Sequence, residues 1–291
     1  MLSLFRRPKA QLVIQVEDSP HYLGSTLNVC VTLTSEQGFS VRRGTIELLC
    51  RETYYVPYTG SPGSSAHTKE NENVITLKGQ FLIKEETEVG ARDYHVRFPI
   101  PESAPPTVDG KLLNITWLVR ASLDVKRARD LHQEQVVSVL TAPVYQDNNE
   151  IKEVSDSLFA QGTFAGCELF LSVSPSHASA GENIQVNIGV LALEALRNPK
   201  VRVELERREA AGSKYADVTE DRSVVAEAIS LSANERREWS LGLKVPSLLA
   251  PSKEGNRTRV VWKVKGILDL GRKGQSVVQQ EIAVSSVKPQ T

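Results

Sequence analysis

ITWLVRASLDV, residues 115–125, returns as VVWKVKGILDL at residues 260–270. In the first copy Ile115, Trp117, Val119, Ala121, Leu123 and Val125 share one phase, while Thr116, Arg120, Ser122 and Asp124 take the other. In the second, Val260, Trp262, Val264, Gly266, Leu268 and Leu270 form the apolar phase, with Lys263, Lys265 and Asp269 opposite. A period of two puts successive side chains on opposite faces of a strand, so each stretch reads as a strand with one dry and one wet face. Alternation of this kind marks antiparallel sheets solvated on one side, and two such sheets bury their apolar faces against each other.

The repetition extends outward from these strands. GSTLNVCVTL at 24–33 returns as GENIQVNIGV at 181–190. Gly24 and Gly181 stand 157 positions apart, as do Glu52 and Glu209, which close LLCRE and LERRE; the two tryptophans stand 145 apart. The first copy therefore holds about a dozen extra residues between Glu52 and Pro101, and two long copies are not a solenoid, whose repeats run roughly 20–50 residues. Shorter alternating runs include Leu12-Ile14-Val16, Leu27-Val29-Val31-Leu33, Ile184-Val186-Ile188-Val190 and Trp239-Leu241-Leu243-Val245. The expected fold is all-β: two tandem immunoglobulin-like antiparallel β-sandwiches over residues 1–143 and 165–291, with 144–164 as linker and interdomain segment. All three tryptophans sit on apolar phases and are expected in the cores. Residues 58–73, rich in Gly, Ser, Pro and Asn, read as a long exposed loop. Pro99, Pro101, Pro105 and Pro106 crowd one connection, and Pro246 and Pro251 the matching one. The one helix expected is short, at 191–197.

Composition narrows the function classes. Thirty-five Lys and Arg balance thirty-five Asp and Glu, so no overall field draws in polyanions, and nucleic-acid binding is disfavoured. The amino-terminal MLSLFRRPKAQ lacks the apolar run of a secretory signal, and no stretch has the roughly 18 apolar residues of a membrane helix; Leu4-Phe5-Arg6-Arg7 alone is a weak membrane tether. Cys30, Cys50 and Cys167 show no CxxC spacing and read as reduced thiols of a cytoplasmic protein. The five histidines are dispersed, and no GxSxG, glycine-rich phosphate loop or dinucleotide fingerprint is present. No catalytic residue, metal or cofactor is expected. Binding candidates are the basic turns, Lys126, Arg127 and Arg129 in one copy and Arg272 and Lys273 in the other, together with Tyr54, Tyr55 and Tyr58 as exposed aromatics. Asp124 and Asp269, at equivalent strand ends, read as turn formers.

Phe98-Pro-Ile-Pro101, Pro106-Thr107, Gly110 and the strand Ile115-Thr-Trp117-Leu-Val119-Arg-Ala121 resemble the pattern of the arrestin-like superfamily, which includes arrestins, arrestin-domain-containing adaptors, the arrestin-like retromer subunit and bacterial sporulation-control proteins. Thr107 stands for the usual Ser and Trp117 for the usual Tyr; Tyr22 and Gly24 match the family's entry to its second strand at shortened spacing. The resemblance implies two arrestin-like sandwiches in a non-enzymatic scaffold or adaptor that binds protein partners, membrane-associated ones included. No PPxY motif is present, so recruitment of ubiquitin ligases is not implied. The alternative is a small-ligand or carbohydrate-binding sandwich, in which outward aromatics stack on sugars.

Overall fold

The computed structural model describes residues 8–17, 20–57, 67–83, 85–141, 157–247, 250–255 and 257–286. The chain divides into two compact units. The first is built from the described residues of Met1–Val108 and Asn114–Ala142, the second from those of Asp109–Leu113 and Pro143–Lys288. Both are made of strands, and no α-helix occurs among the described residues.

The first unit contains β1 (Ala10–Val16), β2 (His21–Tyr22), β3 (Thr26–Ser35), β4 (Phe39–Pro57), β5 (His67–Ile83), β6 (Glu86–Thr87), β7 (Gly90–Pro99), β8 (Val108–Asp109), β9 (Leu113–Val125), β10 (Leu131–Val137) and β11 (Val139–Leu140), apart from Asp109 of β8 and Leu113 of β9, which belong to the second unit. One antiparallel sheet runs β1-β3-β7 and a second β10-β9-β4-β5, with β6 on β4 and β8 on β9; β2 and β11 pair in parallel. Alternate residues of the two antiparallel sheets make the core: Leu27, Val31, Ile46, Leu48, Ile115, Trp117, Val119 and Leu123 are all fully buried.

The second unit contains β12 (Leu158–Phe164), β13 (Cys167–Ser174), β14 (His177–Ser179), β15 (Asn183–Ala192), β16 (Leu196–Arg197), β17 (Lys200–Ala211), β18 (Lys214–Ala226), β19 (Ser230–Leu231), β20 (Arg236–Lys244), β21 (Lys253–Glu254), β22 (Thr258–Asp269) and β23 (Gln275–Ser285). Its sheets run β12-β13-β15-β20 and β14-β23-β22-β17-β18, with β21 on β22 and a small β16-β19 pair. Residues 158–164, read from sequence as part of the linking segment, form the outermost strand of the first of these sheets. Residues 144–153 lie outside the described residues.

Several hydrogen bonds recur at corresponding positions of the two units. Trp117 Nε1–H donates to the Pro105 carbonyl at 3.0 Å and Trp262 Nε1–H to the Ala250 carbonyl at 2.9 Å, each spanning twelve residues. Thr107 Oγ1 accepts the Val139 N–H at 2.9 Å while the Thr107 N–H donates to the Val139 carbonyl at 2.7 Å. Ser252 does both for Val284 at the same two distances. Gly24 and Gly181 take φ of 80° and 86°, a left-handed turn that a Cβ would strain, and their N–H groups donate to Ile100 and Val245. Thr107 and Ser252 thus supply the same hydroxyl acceptor at corresponding places in the two units.

Three expectations are corrected. Residues 67–73, expected as loop, begin β5 and pair with the end of β4, Pro57↔His67 through Arg51↔Asn73. A hairpin ladder needs only backbone groups, so polar residues extend it without an apolar phase. The hairpin's 19- and 17-residue strands, against 12 and 13 in β17 and β18, account for added length in the first copy. Residues 191–197 form no helix: Leu191 and Ala192 finish β15, Leu196 and Arg197 pair with β19, and the Leu193 and Glu194 N–H groups donate to the Gly166 carbonyl. Seven residues are too few to offset helix nucleation when a ladder is available. Trp117 and Trp262 are buried, but Trp239, on the sheet-end strand β20, is half-buried.

Candidate functional site

A concavity of about 480 Å³ lies on the outer face of β1-β3-β7 in the first unit. Register places its residues in two rows: Gln15, Cys30 and His95 stand side by side, and Asn28 stands beside Arg97 in the next. Asn28 Nδ2 donates to Glu17 Oε1 at 3.1 Å, fixing an acid on the side opposite Arg97. Cys30 is half-buried, whereas Cys50 and Cys167 are buried, and burial pushes the Cys167 thiol above its ordinary range. The groove thus presents a guanidinium, an imidazole, two side-chain amides and a carboxylate. With the Cys30 thiol beside His95, these groups can donate to and accept from polar partners. Among the described residues no three His, Cys, Asp or Glu side chains are grouped to hold a metal.

The basic turns sit in different units. Lys126, Arg127 and Arg129 are exposed on the β9–β10 turn, where the Lys126 N–H donates to the Ser40 carbonyl at 2.9 Å, Arg127 takes φ of 62°, and Asp130 Oδ1 accepts the Val125 N–H at 3.1 Å. Arg272 and Lys273 occupy the 3₁₀ turn Gly271–Lys273, and Lys273 pairs with Glu194 at 3.2 Å. The two strand-end aspartates diverge. Asp269 Oδ1 accepts the Gly271 N–H at 2.9 Å, and this bond, with Gln275, holds its carboxyl below the usual range; Asp124 instead pairs with Arg42 at 2.9 Å. Asp269 is the turn former expected from sequence, and Asp124 is not.

Tyr54 is not an exposed aromatic, since only 2% of it is accessible. It continues the even-numbered phase of Ile46, Leu48 and Cys50, so its ring turns inward. The side chains of Tyr55 and Tyr58 lie outside the described residues.

Sequence reasoning missed a buried charge cluster in the second unit. Arg207 and Glu209 continue the inward phase of Val201, Val203 and Leu205 on β17, and Glu209 is fully buried. The Arg207 guanidinium pairs with Glu209, donates through Nε to Glu220 Oε1 at 2.7 Å, and lies 5.9 Å from the Trp262 ring centre. Glu209 Oε2 accepts the Leu112 N–H at 2.7 Å and lies 3.4 Å from the Leu113 nitrogen. A Cβ at Gly110 would fall 2.6 Å from both Glu209 Oε2 and the Leu113 carbonyl, so only glycine fits. The available signal was the apolar phase itself: LERRE places a charge pair where alternation calls for hydrophobes.

No protein-family model matches the chain, and no curated protein matches it. No described helix is long and apolar enough to cross a membrane.

Proposed function

We propose that the chain is a non-enzymatic cytoplasmic scaffold or adaptor, built from two arrestin-like, immunoglobulin-like sandwiches, that holds protein partners at an exposed sheet edge. The observation that carries this is β7. The strand pairs with β3 along all ten residues and ends its sheet, with no further strand on its other side among the described residues. An edge of this length offers main-chain hydrogen bonds to an extended segment, and adjoining side chains select its sequence. The groove beside β7 supplies such side chains in His95, Arg97 and Glu17. The paired tryptophan and Thr/Ser bonds, at matching positions in the two units, support the tandem arrangement the resemblance implies.

Photo-crosslinking from benzoylphenylalanine at position 95 tests the reading. A partner recovered reproducibly there, and not from the same probe at the exposed Tyr215 position, is expected; once purified, that partner should bind Arg97→Glu about tenfold more weakly. Failure to recover any partner above the Tyr215 control would sink the adaptor reading.

A further inference from the structure

We propose that the outer face of β12-β13-β15-β20 in the second unit is a binding site for a neutral oligosaccharide. Strand register lays Phe159, Ser172, Asn187 and Ser240 in one row across all four strands, a span of roughly 14 Å at about 4.8 Å per strand. Phe159 heads the row and is 62% exposed, a large fraction for a phenylalanine ring on a regular strand. It lies 6.5 Å, centre to centre, from Phe170, whose position is fixed by Arg236 at 4.8 Å over its ring. Phe170 stands opposite Gly189, and a Cβ there would come within 3.6 Å of the ring.

The rest of the row is low and rich in amides and hydroxyls. Gln185 Nε2 donates to Ser240 Oγ at 2.6 Å, and Ser240 Oγ donates to Asn187 Oδ1 at 2.6 Å. The row on one side is Ser174, Gln185 and Gly242, where a Cβ on Gly242 would meet the Ile184 carbonyl at 4.0 Å; the row on the other side is Gln161, Phe170, Gly189 and Glu238. Of these three rows only that last one holds a charged residue, Glu238. The nearest pair, Arg236 with Glu238, is mutually engaged at 2.7 Å.

An apolar ring beside ordered amides and a shallow floor complements a sugar, which offers a C–H face for stacking and hydroxyls that donate and accept together. A polyanion would need unpaired cations, which these rows lack. A protein partner would favour a contiguous apolar patch, and one exposed ring is not such a patch.

Affinity electrophoresis in gels containing a neutral glucan, mannan, galactan or xylan tests the site, followed by titration with the matching hexasaccharide. Retardation is expected in at least one gel. Phe159→Ala should weaken binding roughly tenfold or more, with smaller losses for Asn187→Ala and Gln185→Ala, while Tyr215→Ala, which removes an exposed aromatic on β18, should bind like the parent. Because Phe159 is exposed, its truncation spares the core, and an unchanged melting curve verifies this. No retardation in any of the four gels, retardation that survives Phe159→Ala, or tighter binding to a sulfated polymer would each overturn the proposal.

Discussion

At the scale of single residues, Glu209 tests the buried charge cluster directly. Its carboxylate sits fully buried between the Arg207 guanidinium and the Leu112 N–H. Removing it leaves Arg207 with Glu220 alone and the Leu112 N–H without its acceptor, so Glu209→Ala should cost about 3 kcal/mol in urea unfolding. Glu227→Ala, which breaks an exposed pair with Lys200 on the same unit, should stay within about 1 kcal/mol. Gly110→Ala drives a methyl against Glu209 and should cost roughly 1–3 kcal/mol; equal effects from Glu209→Ala and Glu227→Ala would show that the cluster is not energetically buried. His21 sets a pH response. Burial lowers its pKa, against opposing help from Glu17. The unfolded chain therefore takes up the proton first as pH falls, so this contribution to stability is complete above the ordinary histidine value of about 6.5 and is lost as pH drops through and below it. Melting temperatures at pH 7.5, 6.5 and 5.5 should decline, and His21→Gln should flatten the decline over that window.

At the scale of elements, the two units offer an internal control. Thr107 and Ser252 each accept a strand N–H through a hydroxyl at 2.9 Å. Thr107→Ser and Ser252→Thr keep that acceptor and should be nearly neutral, while Thr107→Val and Ser252→Ala leave an N–H unsatisfied and should each cost about 1–3 kcal/mol by urea unfolding. A neutral Thr107→Val would mean water replaces the hydroxyl. The same elements show what was legible in the sequence. Alternation over 115–125 and 260–270 located β9 and β22 because a sheet with one dry face forces period two. The inward phase of β17 marked Arg207 and Glu209, but which groups partner them, Leu112 and Glu220 among them, is not encoded in that local pattern. The start of β5 escaped because its side chains carry no apolar signal, and backbone pairing alone extends the hairpin. The face headed by Phe159 was unreadable because its row is assembled from four strands spanning residues 159–240.

At the scale of the whole molecule, the equal numbers of acidic and basic side chains leave a net charge of zero and an isoelectric point near 7. Net charge supplies the long-range repulsion that keeps open edges such as β7 from meeting. Protein–protein repulsion, read as the second virial coefficient by light scattering, should therefore be lowest near pH 7 and higher at pH 5.5 and 8.5; a flat profile would remove charge balance as the controlling term. The acid side separates two effects that act in opposite directions. Lowering the pH to 5.5 weakens the fold through His21 yet raises the net positive charge, so heating there should begin unfolding at a lower temperature but aggregate more slowly than at pH 7. If aggregation instead sped up with the earlier unfolding, exposed apolar surface would outweigh charge repulsion, and the edge strands would need protection from a bound partner rather than from the molecule's own field.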